Sequence, residues 1–387
     1  MGQVVNELRK FVAPEFIFGV GARFKAGQYA QNFQARKVLV VSDQGVIDAG
    51  WTADVLSSLE AENLPYEVFS ELTPNPKSKE VMKGAAIYQS SECDVIIAVG
   101  GGSVIDCAKG IGIVASNGGN VLDYEGVDMI DIPSPPLICI PTTAGTAADV
   151  SQFAIINNEI RKNKIAIISK VVVPDISLID PETTLTMDLY LTACTGMDAL
   201  THAIEAFVSN ASSPITDIHA LQAIKLISEN IEDTISTPQH IEYRSKMMLG
   251  CLEAGLAFSN ASLGAVHAMA HSLGGYLDLP HGECNSLLLE HVMRFNFTTA
   301  EDRFTEIGQQ LNISMKGMSS KHKAKAILTR IEQLKKSVGI NWSLEKKGLH
   351  RTDIPTLSEF AIRDACIVTN PRDANQRDIE VIYEEAL

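Results

Sequence analysis

Short apolar runs broken by glycine or proline fill the first half of the chain, and an apolar period of 3.6 residues fills the second. Residues 12–20 read as an early strand interrupted by Gly. Residues 37–43 form the strand of a first βα unit, with its helix near 52–59. A strand at 66–69, the rigid Thr73-Pro-Asn-Pro-Lys77 loop and a helix over 78–90 lead into 94–100, the clearest buried strand in the sequence. A helix from Ser103 to about 115 follows, with Ser103 as its cap, and then a strand at 136–141. The runs at 153–157 and 164–168 suggest a hairpin across Asn157-Asn158, and 176–179 closes the strand pattern. Strands alternating with helices imply a parallel, doubly wound sheet. From Leu185 onward the pattern predicts helices near 188–209, 214–230, 240–259, 261–273, 284–296, 300–311, 320–337 and 355–367. The change of period at Asp180-Pro181 divides the chain into an α/β domain, 1–181, and an all-helical domain, 182–387.

A chain of 387 residues is long enough for two such cores. Its 32 basic and 47 acidic residues give a net charge of −15, so nucleic acid and anionic membranes are not expected partners. Seven cysteines without C-x-x-C spacing read as reduced thiols in a cytoplasm. The first ten residues have no apolar stretch of a signal peptide, and Asn6 stands where a myristoylation signal wants Ser or Thr. No apolar run approaches the ~20 residues that span a bilayer.

Chemistry concentrates in residues 267–281, where three of the nine histidines fall. His267 and His271 are four apart, so on a helix they share one face, offset by ~40° and ~6 Å of rise. Gly274-Gly275 is expected to end that helix, and Pro280 to preset the backbone before His281, so that a third imidazole returns toward the first two. Asp198 and His202 repeat the i, i+4 spacing upstream. Each histidine alone also suits a hydrogen-bonded core position; two such pairs and a third His suit a divalent cation. Gly100-Gly101-Gly102-Ser103, at a strand end before a helix, suits a phosphate as well as a tight turn. The hydroxyls of Thr142-Thr-Ala-Gly-Thr146 suit a nucleotide as well as a plain loop.

Taken together, Gly-Gly-Gly-Ser-Val-Ile-Asp-Cys-Ala-Lys, Thr-Thr-Ala-Gly-Thr, Gly-Met-Asp-Ala-Leu-Thr-His-Ala-Ile-Glu-Ala and His-Ala-Met-Ala-His-Ser-Leu-Gly-Gly resemble the iron-containing (group III) alcohol dehydrogenases, in the manner of the lactaldehyde reductase and 1,3-propanediol dehydrogenase branches. The resemblance runs from the Pro-Asn-Pro loop to Asn370-Pro-Arg372. It implies a Rossmann-like α/β domain followed by an all-α domain, the dehydroquinate synthase-like fold. It implies a metal on Asp198, His202, His267 and His281, Fe²⁺ by resemblance, though N/O ligands admit Zn²⁺. It implies His271 beside the substrate, where an imidazole suits a proton relay as well as a structural contact to backbone, and NAD over Gly100, Gly101, Gly102 and Ser103, with Thr142, Thr143 and Thr146 along the nicotinamide. Lys164 would reach the cofactor's ribose, and Asp43 the adenosine ribose, where a carboxylate disfavours a 2′-phosphate. Phe153, Phe258 and Cys366 match pocket positions. Where relatives carry Ser-Glu, this chain has Ala148-Asp149.

The implied activity is hydride transfer between a small primary alcohol or diol and NAD, in a homodimer or larger homo-oligomer. Two alternatives stand beside it: a dehydroquinate synthase-like lyase using NAD transiently, and a non-catalytic metal- or nucleotide-binding protein. A lyase acting on a sugar phosphate needs converging cations. Residues 186–300 offer Lys225, Arg244, Lys246 and Arg294, none beside a candidate ligand, so an uncharged alcohol and an apolar pocket without a cation are expected.

Overall fold

The computed structural model describes residues 10–161 and 163–387, so the reading of the extreme N-terminus as lacking a signal or lipidation motif falls mostly outside the described residues. The first half contains β1 (Glu15–Phe18), α1 (Ala26–Asn32), β2 (Val38–Val41), α2 (Gln44–Asp48), α3 (Trp51–Ala61), β3 (Tyr66–Phe69), α4 (Ser78–Ser90), β4 (Val95–Gly100) and α5 (Gly102–Asn117). It continues through β5 (Gly126–Val127), β6 (Leu137–Pro141), β7 (Phe153–Asn158), β8 (Asn163–Ile168) and β9 (Ile176–Ile179). Six strands form one parallel sheet in the order β1-β9-β6-β4-β2-β3.

The continuous apolar runs of β2 and β4 follow from burial on both faces. Leu39, Val41, Ile96 and Ala98 enter one core, while Val38, Val40, Val95, Ile97 and Val99 enter the other. Strand order reverses between β2 and β4, the position where such sheets open a crevice at their carboxyl ends. A smaller sheet, β5-β8-β7, lies beside this one; its β7–β8 pair is antiparallel. That pairing continues to Asn158↔Asn163, so the hairpin connection lies beyond Asn157-Asn158, the expected turn.

The second half is helical: α6 (Leu189–Val208), α7 (Pro214–Ser236), α8 (Ile241–Ala261), α9 (Ala265–Leu277), α10 (His281–Asn296), α11 (Glu301–Gln310), α12 (Ser320–Ser337), α13 (Ile354–Arg363) and α14 (Gln376–Ala386). α6, α9 and α10 are the core of this half; most of their residues are buried, which explains apolar patterns too continuous for a surface helix. No single helix among the described residues is long and apolar enough to cross a membrane.

Several local expectations differ from the structure. Ser103 is not a cap: α5 starts at Gly102, and Ser103 Oγ accepts from the Asn75 N–H at 3.2 Å. α13 stops at Arg363, because Asp364 turns extended and caps a 3₁₀ turn, Ala365–Thr369. The short α1 and α2, and α14 at the C-terminus, were not anticipated. α9 runs through Gly274-Gly275 and ends only at Asp278, which adopts the left-handed conformation (φ 54°). Gly275 is there for close approach: a Cβ on it would lie 2.6 Å from Asn163 Cα and 2.9 Å from the Lys164 nitrogen.

This contact gives a test of the α9–β8 junction. If Gly275 were an interior helical position with open space around it, alanine would be stabilising by about 1 kcal/mol. Overpacking against backbone instead predicts that Gly275→Ala destabilises by about 1–3 kcal/mol, measured by urea denaturation.

Candidate metal and cofactor site

Asp198 and His202 face inward from α6, His267 and His271 from α9, and His281 opens α10. The Asp188 side chain caps α6 by accepting from the Leu191 N–H at 2.8 Å. α10 approaches α6 at Gly282, where a Cβ would sit 2.4 Å from the Cys194 carbonyl oxygen and 3.1 Å from Asp198 Cβ. That glycine lets His281 meet Asp198. One donor atom from each of Asp198, His202, His267 and His281 lies within 4.8 Å of the others. His202 is packed between Phe258 (4.3 Å, 18°) and His267 (4.5 Å, 24°).

Burial shapes the chemistry of this group. It pushes His202 down to about 3, and His267 and His281 well below the usual imidazole range, so all three are neutral and have a lone pair to offer. Burial also pushes Asp198 upward, against the pull of His202 and the Asn285 amide. Asp198 Oδ2, His202 Nδ1 and His281 Nδ1 are buried without hydrogen-bond partners. One carboxylate with an unpartnered buried oxygen and three neutral imidazoles fit a divalent cation of intermediate softness.

The supporting contacts lie on the same helices. Glu205, one further turn along α6, stands 2.6 Å from His267 Nδ1. It also accepts from the Val266 N–H (2.7 Å) and the Gly264 N–H (3.1 Å) at the start of α9. Burial pushes its carboxyl up to about 7 while these backbone donors hold it as an acceptor. His271 stands apart from the four. Its Nδ1 is 2.8 Å from Asp364 Oδ2, and Asp364 Oδ1 accepts from the Cys366 N–H at 2.8 Å. Burial alone would raise Asp364, but His271 and the Cys366 hydrogen bonds together make the net shift downward. An ionised Asp364 fixes Nδ1–H on His271 and leaves Nε2 as an acceptor.

The nucleotide candidates gather at the carboxyl edge of the sheet. Since β4 pairs with β2 and β6, Asp43, Gly100–Ser103 and Thr142–Thr146 leave the sheet side by side. A Cβ on Gly101 would be 3.1 Å from Thr143 Cγ2, and one on Gly102 2.6 Å from Thr146 Oγ1. The two loops therefore close on each other at backbone distance, and the Thr142 N–H donates to Gly100 O at 3.0 Å. Asp43 already caps α2, accepting from the Val46 N–H at 2.9 Å.

A cleft runs between the sheet edge and the helices. Gly102, Ser103, Thr146 and Lys164 line one wall, and His202, His267, His271 and His281 the other. Phe153 and Phe258 lie between, 5.7 Å apart with rings tilted by 58°. Cys366 does not line it; this residue is fully buried behind His271, and burial pushes its thiol well above the usual range. Lys164, from β8, corrects the expectation of a pocket without a cation. It donates to Asn75 Oδ1 at 2.7 Å, and burial lowers its pKa.

Two family models meet in this chain, Iron-containing alcohol dehydrogenase over residues 13–181 and Fe-containing alcohol dehydrogenase family, C-terminal, over residues 192–387. The chain belongs to the iron-containing alcohol dehydrogenase family. It is an oxidoreductase of the alcohol–aldehyde type. It is 38% identical to 1,3-propanediol dehydrogenase of Klebsiella pneumoniae over 371 residues, 95% of this chain and 96% of that one. It is 36% identical to NAD-dependent methanol dehydrogenase of Bacillus methanolicus over 377 residues, 97% and 99% of the two chains. A crystal structure of 1,3-propanediol oxidoreductase superposes with a TM-score of 0.95 at 37% identity, covering 98% of this chain and all of that one.

Sequence reasoning passed over Glu205, Asp364, Asn285 and Asp106. Glu205 is three residues after His202 and Asn285 four after His281, so helical spacing marks both. Asp106, on the cleft wall three residues after Ser103, is pushed up to about 7 by burial, against the pull of Lys109. Its ordinary value is 3.8. The folded state thus holds a proton that the unfolded chain has lost, and this group makes stability fall as pH rises from about 4 to about 7. Asp106→Asn should remove that slope. Urea titrations should show the variant gaining stability over wild type across this window, with the gap constant above it. A pH-independent gap would contradict the assignment.

Proposed function

We propose that the chain is an NAD-linked, metal-dependent dehydrogenase that interconverts a small primary alcohol or diol with its aldehyde. The observation that carries this is the meeting of two sets across one cleft: four donor atoms within 4.8 Å of one another, facing the Gly102–Thr146 junction. Asp198, His202, His267 and His281 would hold the cation, and Fe²⁺ is the ion the family name favours, with Zn²⁺ the alternative such a donor set accepts. A cation held there supplies Lewis acidity to the substrate oxygen.

The chain's own residues do the rest. Gly100, Gly101, Gly102 and Ser103 offer backbone N–H groups and the start of α5 to a pyrophosphate, the three glycines adding no side chain of their own. Thr142, Thr143 and Thr146 flank the nicotinamide, Lys164 reaches its ribose, and Asp43 the adenosine ribose through the oxygen not used on Val46. His271 accepts the alcohol proton at Nε2, because Asp364 holds the other nitrogen protonated. Phe153 and Phe258 keep water from the hydride path and bound the alkyl part of the substrate, with the Cys366 segment behind His271. Lys164 is the one cation lining this cleft among the described residues, fewer than an anionic sugar phosphate calls for, so the lyase reading is not favoured.

The proposal extends to organisation: a cofactor domain, 1–181, a metal and substrate domain, 182–387, and a cytoplasmic homodimer. Seven free cysteines fit a reducing compartment. β1 is an edge strand with Phe16 and Phe18 exposed beside Val20 and Phe24, a surface suited to a second copy.

Two measurements test this reading. His267→Ala and Asp198→Ala should lose turnover yet keep NAD binding, followed by quenching of NADH fluorescence, because the nucleotide loops belong to the other half. Turnover at the wild-type rate after chelation would contradict it. Across ethanol to hexanol, kcat/KM should rise about fourfold per methylene, from ~0.8 kcal/mol per buried CH₂, until the pocket fills. Strong preference for a phosphorylated or carboxylated alcohol would reverse the pocket assignment.

A further inference from the structure

Asn285 lies on α10, one turn beyond His281, and is fully buried. Its Nδ2 stands 2.6 Å from Asp198 Oδ1, 3.0 Å from His267 Nε2 and 3.2 Å from His281 Nε2. Three acceptors, from three helices, converge on one amide nitrogen that carries two hydrogens. The reversed amide is excluded, because it would set Oδ1 against a carboxylate oxygen at 2.6 Å, acceptor facing acceptor. In the observed orientation Asn285 Oδ1 is itself buried without a partner. An unpaired buried acceptor is destabilising. Volume filling does not account for it, since an aliphatic side chain would occupy the same space without that penalty. What the carboxamide does contribute is a pair of donors aimed at the atoms a cation would use.

We propose that Asn285 is a positioning residue that gathers the cation's donor set. One N–H holds the Asp198 carboxylate and the other is shared between Nε2 of His267 and His281, which keeps both nitrogens unprotonated and turned to one point until a cation takes their lone pairs. The inference rests on the cation site proposed above. At His267 the tautomer is fixed from both ends, because Nδ1 faces Glu205 while Nε2 faces Asn285. At His281 Nδ1 has no partner, so Asn285 alone fixes the tautomer. Loss of the amide should therefore loosen His281 more than His267.

The test uses Co²⁺ as probe, read by its visible d–d absorption and by its release from the loaded protein to an excess of chelating dye. Asn285→Ala removes the amide; Asn285→Leu removes it but fills the space. Both should bind Co²⁺ about 10–100-fold more weakly than wild type, with an altered visible band and unchanged NADH fluorescence quenching. Binding within about threefold of wild type in the leucine variant, with the wild-type band, would show that only volume matters and overturn the proposal. A wild-type protein that binds NADH but no Co²⁺ would instead overturn the cation site itself. A measurement on the wild-type chain does not depend on any variant folding: ¹⁵N spectra of histidine-labelled, chelator-treated protein should show His267 and His281 protonated at Nδ1. An Nε2–H tautomer at either position refutes the role of Asn285.

Discussion

A carboxylate and three imidazoles forced together out of water are the constraint on which the helical half depends. Separately, each would be a costly polar group in an apolar core; together their lone pairs can share one positive centre while their outer atoms find donors or acceptors. The surrounding choices follow from that requirement. Gly282 brings α10 against α6, and Glu205 binds both His267 and the N-terminus of α9. Phe258 seals one face of His202. The helices are apolar nearly all round because they enclose this group, which is why their sequence lacks the polar stripe of a surface helix.

On the proposed function, a nucleotide must reach the same place without taking any of these donors. The parallel sheet would allow this by topology. Three loops leave neighbouring strands at one edge, and β8, though part of a different sheet, packs Lys164 and Asn163 against α9 through Gly275. One close contact therefore couples a lysine of the cleft wall to the helix that carries His267 and His271. Arg23 makes a similar tie on the far side, buried between Asp54, Asp180 and Glu182 where the chain passes from β9 to the helices.

Much of this was legible in the sequence because periodicity maps directly onto burial. β2 and β4 are pure apolar runs and were read as such, and the spacing of Asp198 and His202 placed both on one face of a helix. The residues that support them were equally visible in principle: Glu205 and Asn285 sit at helical spacing from a ligand. Asp364 was not, because it reaches His271 across 93 residues through a turn with no periodic signal. Gly274-Gly275 misled for a physical reason. A glycine that ends a helix and one that admits another backbone look alike in one dimension, and only the position of Asn163 separates them. The end of α13 has the same character, since Asp364 leaves the helix to serve two partners that the local sequence does not announce.

On the proposed function, one cation held by Asp198, His202, His267 and His281 shares the cleft with the nucleotide. Anomalous diffraction at the iron edge, from crystals grown with Fe²⁺ and NAD under anaerobic conditions, can locate it. A single strong peak is expected about 2.1 Å from one donor atom of each of the four residues, with His271 outside bonding distance and the nicotinamide on the Thr146 side. A peak on His271, Asp364 and Cys366 instead, or an ordered nucleotide with no anomalous signal between α6, α9 and α10, would contradict it.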